Sequence, residues 1–241
     1  MIANRLKDLS RSKLRGQNWH SMLSNLGALI FDMDGVIVDS EPRHERAYLE
    51  VVGAIGFGET HGLKFADYIG RSDKELWVDF VKRNNPSQSL EELLAMKRAK
   101  VIEIIHREQP LFPGVPELVR KTAGLCPLAL ASGSERLVVE AVLSLSELRR
   151  HFSAVVSGSD VARGKPAPDI FLRAAELLKV PAADCRVIED SKPGIAAAKA
   201  AGMQVIAITN TYPAAELKAA DHVVSTYAEI DLLLSQVPYG T

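Results

Sequence analysis

The sequence predicts an α/β protein: a parallel sheet covered by helices on both faces, interrupted by one all-helical insertion. Three observations lead there. From Gly27 onward short apolar runs alternate with helical patterns. The runs are rich in Val, Ile, Leu and Ala and lack the apolar–polar alternation of a half-exposed strand, as expected when both faces are buried. Between about residues 41 and 109 the alternation stops and helix follows helix. The length of 241 residues exceeds one average domain and falls short of two, which suits a single core carrying an insertion.

Residues 1–25 read as a leader. Arg5, Lys7, Arg11, Lys13 and Arg15 face a single acid, Asp8, among scattered Ser and Asn, with no apolar stretch and no clear cleavage signature, so secretion is not expected. The first strand spans 28–31. The insertion follows: Ser40 is placed to cap a helix with Pro42 in its first turn and a stripe of Tyr48, Val51, Val52 and Ile55, and Glu41 favours that helix start. A second helix begins at Ser72, with Glu75 completing a capping box, and a third covers about 90–107 with its charges on a solvated face. Trp77 and Phe80 read as core of the insertion. Pro110 and the Pro113-Gly114 turn return the chain to the sheet, where strands at 128–131, 154–157, 186–189, 204–209 and a weaker one at 222–224 alternate with helices at 134–147, 168–179 and 193–201, the last ending at Gly202.

Composition excludes several classes of protein. A chain with 47% hydrophobic and 24% charged residues is not disordered in bulk. With 29 basic and 30 acidic residues it has no general field to recruit nucleic acid or an anionic membrane. No apolar run approaches the roughly 18 residues of a membrane-spanning helix. Cys126 and Cys185 lie far apart, offer no metal motif and read as core thiols in a reducing compartment, so a cytoplasmic protein is expected.

Ligands of open parallel sheets bind outside the carboxyl ends of the strands, so the residues that follow each strand belong together. They are Asp32-Met33-Asp34-Gly35, Ser132-Gly133-Ser134, a loop leading to Lys165, and Glu189-Asp190-Ser191. Acids converging on one edge repel one another unless a cation joins them, and hard carboxylate oxygens without His or Cys suit Mg2+. A metal held by few carboxylates completes its shell with water and a substrate phosphate; a hydroxyl, backbone N–H groups and a lysine are phosphate-binding equipment. Phosphoryl transfer is the reaction class that follows. Taken singly, each motif has a plainer reading. Asp34-Gly35 is a turn dipeptide; Ser132, Ser134 and Ser191 are helix caps, Ser134 the better placed of the first two; Glu189-Asp190 favours a helix N-terminus; Lys165 is a surface residue. Together the four do not.

Four ordered motifs, Asp32-x-Asp34-Gly35, Ser132 after a strand, Lys165 in Gly164-Lys165-Pro166-Ala167-Pro168-Asp169, and Glu189-Asp190-Ser191 followed by Gly194-Ile195, resemble the haloacid dehalogenase superfamily of phosphohydrolases. The resemblance covers about residues 26–235 and is to the β-phosphoglucomutase-like subgroup, whose Rossmann-like core carries a small helical cap after the first strand. It implies a core of 26–40 and 110–241 and a cap of 41–109. It also implies that Asp32 attacks phosphorus, that Asp34 protonates the leaving oxygen and later deprotonates water, and that Ser132, Gly133 and Lys165 hold the phosphoryl group. The implied ligands of Mg2+ are Asp32, the Asp34 main-chain carbonyl and Asp190, with Glu189 close by or ligating through water. A Tyr at the position of Asp34 would mark a dehalogenase, and Asp34 argues against that activity.

In the cap, similar proteins close over substrate with residues placed like His44 and Lys97, and Arg71, beside the helix start at Ser72, is a further candidate anion contact. As a solvated helix residue Lys97 has an equally good reading. The expected activity is hydrolysis of a small phosphorylated metabolite, of the sugar phosphate kind, by a monomer without nucleic-acid or membrane partners. A phosphosugar mutase is the alternative. Against it, Gly70-Arg71-Ser72-Asp73 places the arginine one residue after the loop glycine and an acid at the third position, where similar mutases carry the arginine. A non-catalytic binding module is a third reading, and it would be expected to have lost the nucleophile or the metal acids.

Overall fold

Four consecutive apolar residues, Ala-Leu-Ile-Phe, make β1 (Ala28–Phe31) and are buried throughout. They lie near the middle of a six-stranded parallel sheet ordered β3-β2-β1-β4-β5-β6. The other strands are β2 (Leu128–Ala131), β3 (Ala154–Val156), β4 (Cys185–Glu189), β5 (Gln204–Ile208) and β6 (His222–Val224). These features belong to a computed structural model that describes residues 26–68 and 73–235.

Strand pleating explains the absence of polar alternation. Leu29 and Phe31 point into one core with Leu128, Leu130, Ile188 and Ile206, whereas Ala28 and Ile30 point into a second core with Ala129, Val187, Val205 and Ala207. Helices cover both faces. The first core is closed by α4 (Val115–Ala123), α5 (Arg136–Ser144) and α8 (Tyr227–Ser235), the second by α6 (Asp169–Leu178) and α7 (Lys192–Ala200). Because β1 pairs with β2 on one side and β4 on the other, the strand order reverses there and a crevice opens at its carboxyl end.

The chain leaves and re-enters this edge side by side. Val38 forms bridges to Asp34 and Leu111, and the Asp39 N–H donates to the Pro110 carbonyl at 3.0 Å. Between these points lie α1 (Glu41–Ala54), α2 (Asp73–Asn84) and α3 (Leu90–Glu108). They enclose a separate aromatic core in which Tyr48 and Trp77 ring centroids are 5.1 Å apart and Trp77 and Phe80 5.2 Å. α3 serves both halves: Leu93 enters the cap core, while Val101, Ile104 and Ile105 enter the core of the sheet. Its N-terminus is fixed by a Ser89/Glu92 capping box.

The fold class follows the sequence expectation, with local differences. The helix expected over 134–147 is shorter, Arg136–Ser144, and a 3-10 segment, Leu145–His151, continues it with Ser146 and Glu147 left-handed. Two 3-10 turns, Gly58–His61 and Phe65–Tyr68, were not foreseen in the cap. The leader, Arg71 and the expected cap residue Ser72 lie outside the described residues. Among the described residues no helix is long and apolar enough to cross a membrane.

Candidate active site

Asp32 leaves the end of β1 with its N–H bound to the Ile188 carbonyl at 3.0 Å, so the sheet itself sets its position. The turn after it depends on Gly35, whose φ is +77° and whose missing Cβ would lie 1.9 Å from an Asp190 carboxylate oxygen. Lys165 bridges two acids, donating at 2.7 Å to Asp32 Oδ1 and at 2.6 Å to Glu189 Oε1. The other Glu189 oxygen accepts from the Asp190 and Ser191 N–H groups, each at 2.7 Å, and from the Ser191 hydroxyl at 2.9 Å. Gly194 makes room for this carboxylate, since a Cβ there would meet Glu189 Oε1 at 1.5 Å. Ser191 Oγ also accepts from the Gly194 N–H and caps α7, so its reading as a helix cap holds.

Asp32, Glu189 and Asp190 are all buried, and one oxygen of each lies within 4.8 Å of the others. Lys165 is the cation among them. Burial pushes Asp32 up to about 7, against the pull of Lys165 and with the repulsion of Glu189 and Asp34. Asp190 rises to about 8 through burial and then the charges of Glu189 and Asp32. Although burial opposes it, the same two acids, Asp32 and Glu189, hold Lys165 charged well above the ordinary lysine range. Three buried carboxylates against one ammonium leave negative charge uncompensated, and an oxygen-only donor set suits a hard divalent cation. The residues therefore fit the metal that the motifs imply.

Asp34 lies opposite, held by three hydroxyls. Ser40 donates to its Oδ1 at 2.6 Å, and Ser132 and Ser134 donate to its Oδ2 at 3.1 and 2.8 Å. This corrects two expectations. Ser40 stands at the N-cap position of α1 without a capping bond, and Ser134 does not cap α5, whose N-cap is Glu135. A carboxylate within reach is the stronger acceptor, and it takes both hydroxyls. Ser132 is buried and accepts the Ser134 N–H at 3.0 Å, Gly133 is exposed at the rim, and a cavity of about 280 Å³ lined by Gly133, Gly158, Gly164 and Lys165 opens beside them.

Sequence reasoning missed a further layer. Thr211 donates to Asp190 Oδ2, while Asn210 binds the Gly35 carbonyl at 2.8 Å and Tyr227, itself bound to the Val36 carbonyl at 2.7 Å. Asn210 and Thr211 follow β5, so the rule that gathered the other strand-end residues applies to them equally.

In the cap, Lys97 is 1% exposed, which excludes its reading as a solvated residue. It pairs with Asp73, donates to His44 Nδ1 at 3.3 Å, and lies 5.5 Å from the centre of the Phe65 ring. Burial and then Lys97 lower the His44 pKa, so its ring is neutral near pH 7, with the Nε2 proton as the donor it presents. Burial and then the charge of Asp34 raise Glu41, the residue after Ser40.

A family model described as haloacid dehalogenase-like hydrolase matches residues 26–202. Hexitol phosphatase B of Escherichia coli is 37% identical over 186 residues, 75% of this chain and 82% of that protein. Fructose-1-phosphate phosphatase YqaB of the same organism is 33% identical over 187 residues, 77% of this chain and 97% of that one. Among solved structures, a mutant of CbbY from Rhodobacter sphaeroides in complex with xylulose-(1,5)bisphosphate superposes with a TM-score of 0.73 at 26% identity, covering 85% of this chain and 96% of that chain. With the four strand-end motifs on one edge and a helical cap above them, the chain belongs to the haloacid dehalogenase-like hydrolases, and within them it is a phosphoric monoester hydrolase.

Proposed function

We propose that this enzyme hydrolyses the phosphate monoester of a sugar or sugar alcohol, with Mg2+, through a phosphoryl group carried on Asp32. The observation that carries the reading is the pairing of two carboxylates in opposite settings. Asp32 is buried and gripped by Lys165 through one oxygen, and Asp34 is held at the crevice by three hydroxyls.

Lys165 fixes Asp32 Oδ1, so Oδ2 is the oxygen that attacks phosphorus. The bond from phosphorus to the ester oxygen breaks as the new bond to Asp32 forms, and Asp34 delivers its proton to the departing oxygen. Asp34, now ionised, takes a proton from water, whose oxygen attacks phosphorus and returns Asp32 as a free carboxylate. Ser132 and the Gly133 N–H hold the phosphoryl oxygens beside Lys165, where the cavity leaves room for them. When bound, Mg2+ offsets charge on the transferring group; Asp32, Asp190 and the Asp34 main-chain carbonyl would hold it. Glu189, whose two oxygens already accept from Lys165 and the loop that follows it, positions Lys165 and stands by as an outer ligand.

The cap, spanning 41–109, closes the crevice and excludes water until Asp34 is ready for it. The phosphatase names of the curated relatives support hydrolysis over the mutase alternative, and so does the acid Asp73 beside Lys97. Two free cysteines support a reducing, cytoplasmic setting, in which the enzyme acts as a monomer on free metabolites. Phosphate release from a panel of sugar and sugar-alcohol phosphates, with and without Mg2+, tests the reading. Release from a few of them that Asp32→Asn abolishes is the expected result; release that persists in the variant overturns the mechanism, and conversion of a 1-phosphate to a 6-phosphate without net release makes the chain a mutase.

A further inference from the structure

The cap places charged residues near Asp34 that the catalytic steps do not use. Lys97, from α3, is the described cation there, and it is fully withdrawn: one hundredth of its surface is exposed, its ammonium is paired with Asp73, and the Phe65 ring flanks it. Asp73, the first residue of α2, is the open partner, with 41% of its side chain exposed. An incoming group therefore meets the carboxylate of this pair before the ammonium. Glu41 adds a second carboxylate nearby: after burial, its pKa responds to Asp34, Lys97 and Asp73, and that of His44, after burial, to Lys97, Asp73 and Asp34. Among the described residues, two acids, Asp73 and Glu41, thus share this space with one sequestered lysine.

We propose that Asp73 sets the charge of the accepted substrate: it admits monophosphates with a neutral, hydroxyl-bearing body and rejects compounds that bring a second phosphate beneath the cap. The proposal rests on the phosphatase reading above and adds the residue that selects among its substrates. Hydroxyls satisfy this chamber because each both donates and accepts. They find acceptors in Asp73 and Glu41 and a donor in His44 Nε2–H. A second phosphate, acceptor only and doubly charged, meets carboxylates it cannot bond, and to reach the described lysine it must draw Lys97 away from Asp73. An acid at the start of a helix also stabilises that helix, and the test separates this role from selection.

The test measures kcat/KM for fructose 1-phosphate, sorbitol 6-phosphate and fructose 1,6-bisphosphate, with p-nitrophenyl phosphate alongside, in the wild type, Asp73→Asn and Asp73→Glu. The wild type is expected to favour the better monophosphate by about a hundredfold, Asp73→Asn to narrow that ratio about tenfold through the KM of the bisphosphate, and Asp73→Glu to retain it. Raising ionic strength narrows the ratio in the wild type, a readout that needs no variant. A wild type that turns over p-nitrophenyl phosphate and the monophosphates but takes the bisphosphate equally well overturns the selector alone. So does an Asp73→Asn ratio equal to that of the wild type. Absence of phosphate release from every compound overturns the phosphatase reading, and the selector with it.

Discussion

Lys165 and Lys97 are both withdrawn from solvent against acids, and they are held in opposite ways. Lys165 lies between Asp32 and Glu189 at the sheet edge, and each of those acids is fixed in turn: Asp32 by the register of β1 against β4, Glu189 by two N–H groups and a hydroxyl. Lys97 lies beneath the cap against one half-exposed acid and a neutral imidazole, brought by three helices that meet over an aromatic core. The sheet edge is determined several times over, as chemistry at a single phosphorus atom requires. The cap contact rests on one ion pair, so it can change without disturbing the chemistry below. The contrast accords with the proposal that the first region carries the reaction and the second the choice of substrate.

The strongest way to break that division is through Asp32. Asp32→Asn keeps the shape and removes the attacking oxygen's charge, so kcat is expected to fall by at least about 10^4-fold on every substrate. Single-turnover phosphate release measures it, and a loss confined to some substrates would move the nucleophile elsewhere. Next come the two lysines compared directly. Lys165→Met is expected to lower kcat by about 10^2- to 10^3-fold on all substrates alike, because the developing charge loses its fixed cation. Lys97→Met is expected to act mainly on KM and to differ from one sugar to another. Steady-state kinetics on three sugar phosphates decides the point: if Lys97→Met costs kcat as heavily and as uniformly as Lys165→Met, the division fails.

The two regions also differ in how far the sequence alone reveals them. All six strands are legible, because an unbroken run such as Ala-Leu-Ile-Phe between polar loops has few other uses. The positions of Asp32, Asp34, Ser132, Lys165, Glu189 and Asp190 are legible because each ends or follows a strand, and topology then brings strand ends together. Thr211 was open to the same argument. Ser40 and Ser134 were not, because a hydroxyl before a helix usually caps it, and the competing acceptor, Asp34, is distant in sequence from Ser134 and approaches it only in the fold. The Lys97–Asp73 pair lay further out of reach. Nothing local marks a lysine followed by Arg98 and Lys100 as buried; the packing of α1, α2 and α3 around Tyr48 and Trp77 decides it.

The electrostatics of the edge give a prediction that the cap does not share. In the unfolded chain Asp32 and Asp190 titrate near 3.8, and in the metal-free fold near 7 and 8. Above about pH 4 the folded state therefore binds more protons than the unfolded one. Stability falls as pH rises between these values and levels off once both acids are ionised in the fold. A divalent cation among the ionised carboxylates removes the repulsion, and its binding releases the protons. Mg2+, the proposed cation, is expected to stabilise the fold by about 2.7 kcal/mol at about a hundredfold excess over its Kd, and because proton release makes binding tighter as pH rises, a fixed Mg2+ concentration is expected to raise Tm by several degrees more at pH 8 than at pH 5.5. Differential scanning fluorimetry at the two pH values checks this, with Asp190→Asn as the control that removes most of the shift. An equal shift at both would place the cation away from these acids.

The smallest expected effect separates positioning from helix capping at the hinge between the two regions. Ser40 stands at the start of α1 yet directs its hydroxyl to Asp34 Oδ1 at 2.6 Å, making no capping bond. A hydrogen bond to a charged group is worth about 1.5 to 3 kcal/mol, and Ser132 and Ser134 still hold Asp34 when this one is lost, so Ser40→Ala is expected to lower kcat about threefold to tenfold while leaving Tm nearly unchanged. A true cap would give the reverse, with about 1 kcal/mol lost from stability and the rate preserved. Ser134→Ala repeats the test from the other side of the carboxylate, since its hydroxyl reaches Asp34 Oδ2 at 2.8 Å and α5 begins without it. If both variants slow the reaction and neither lowers Tm, Asp34 is aimed by side chains on both sides of the crevice, one of them at the first turn of the cap. Closure of the cap then bears directly on the proton transfer proposed for Asp34, which would join the region proposed to select to the region proposed to react.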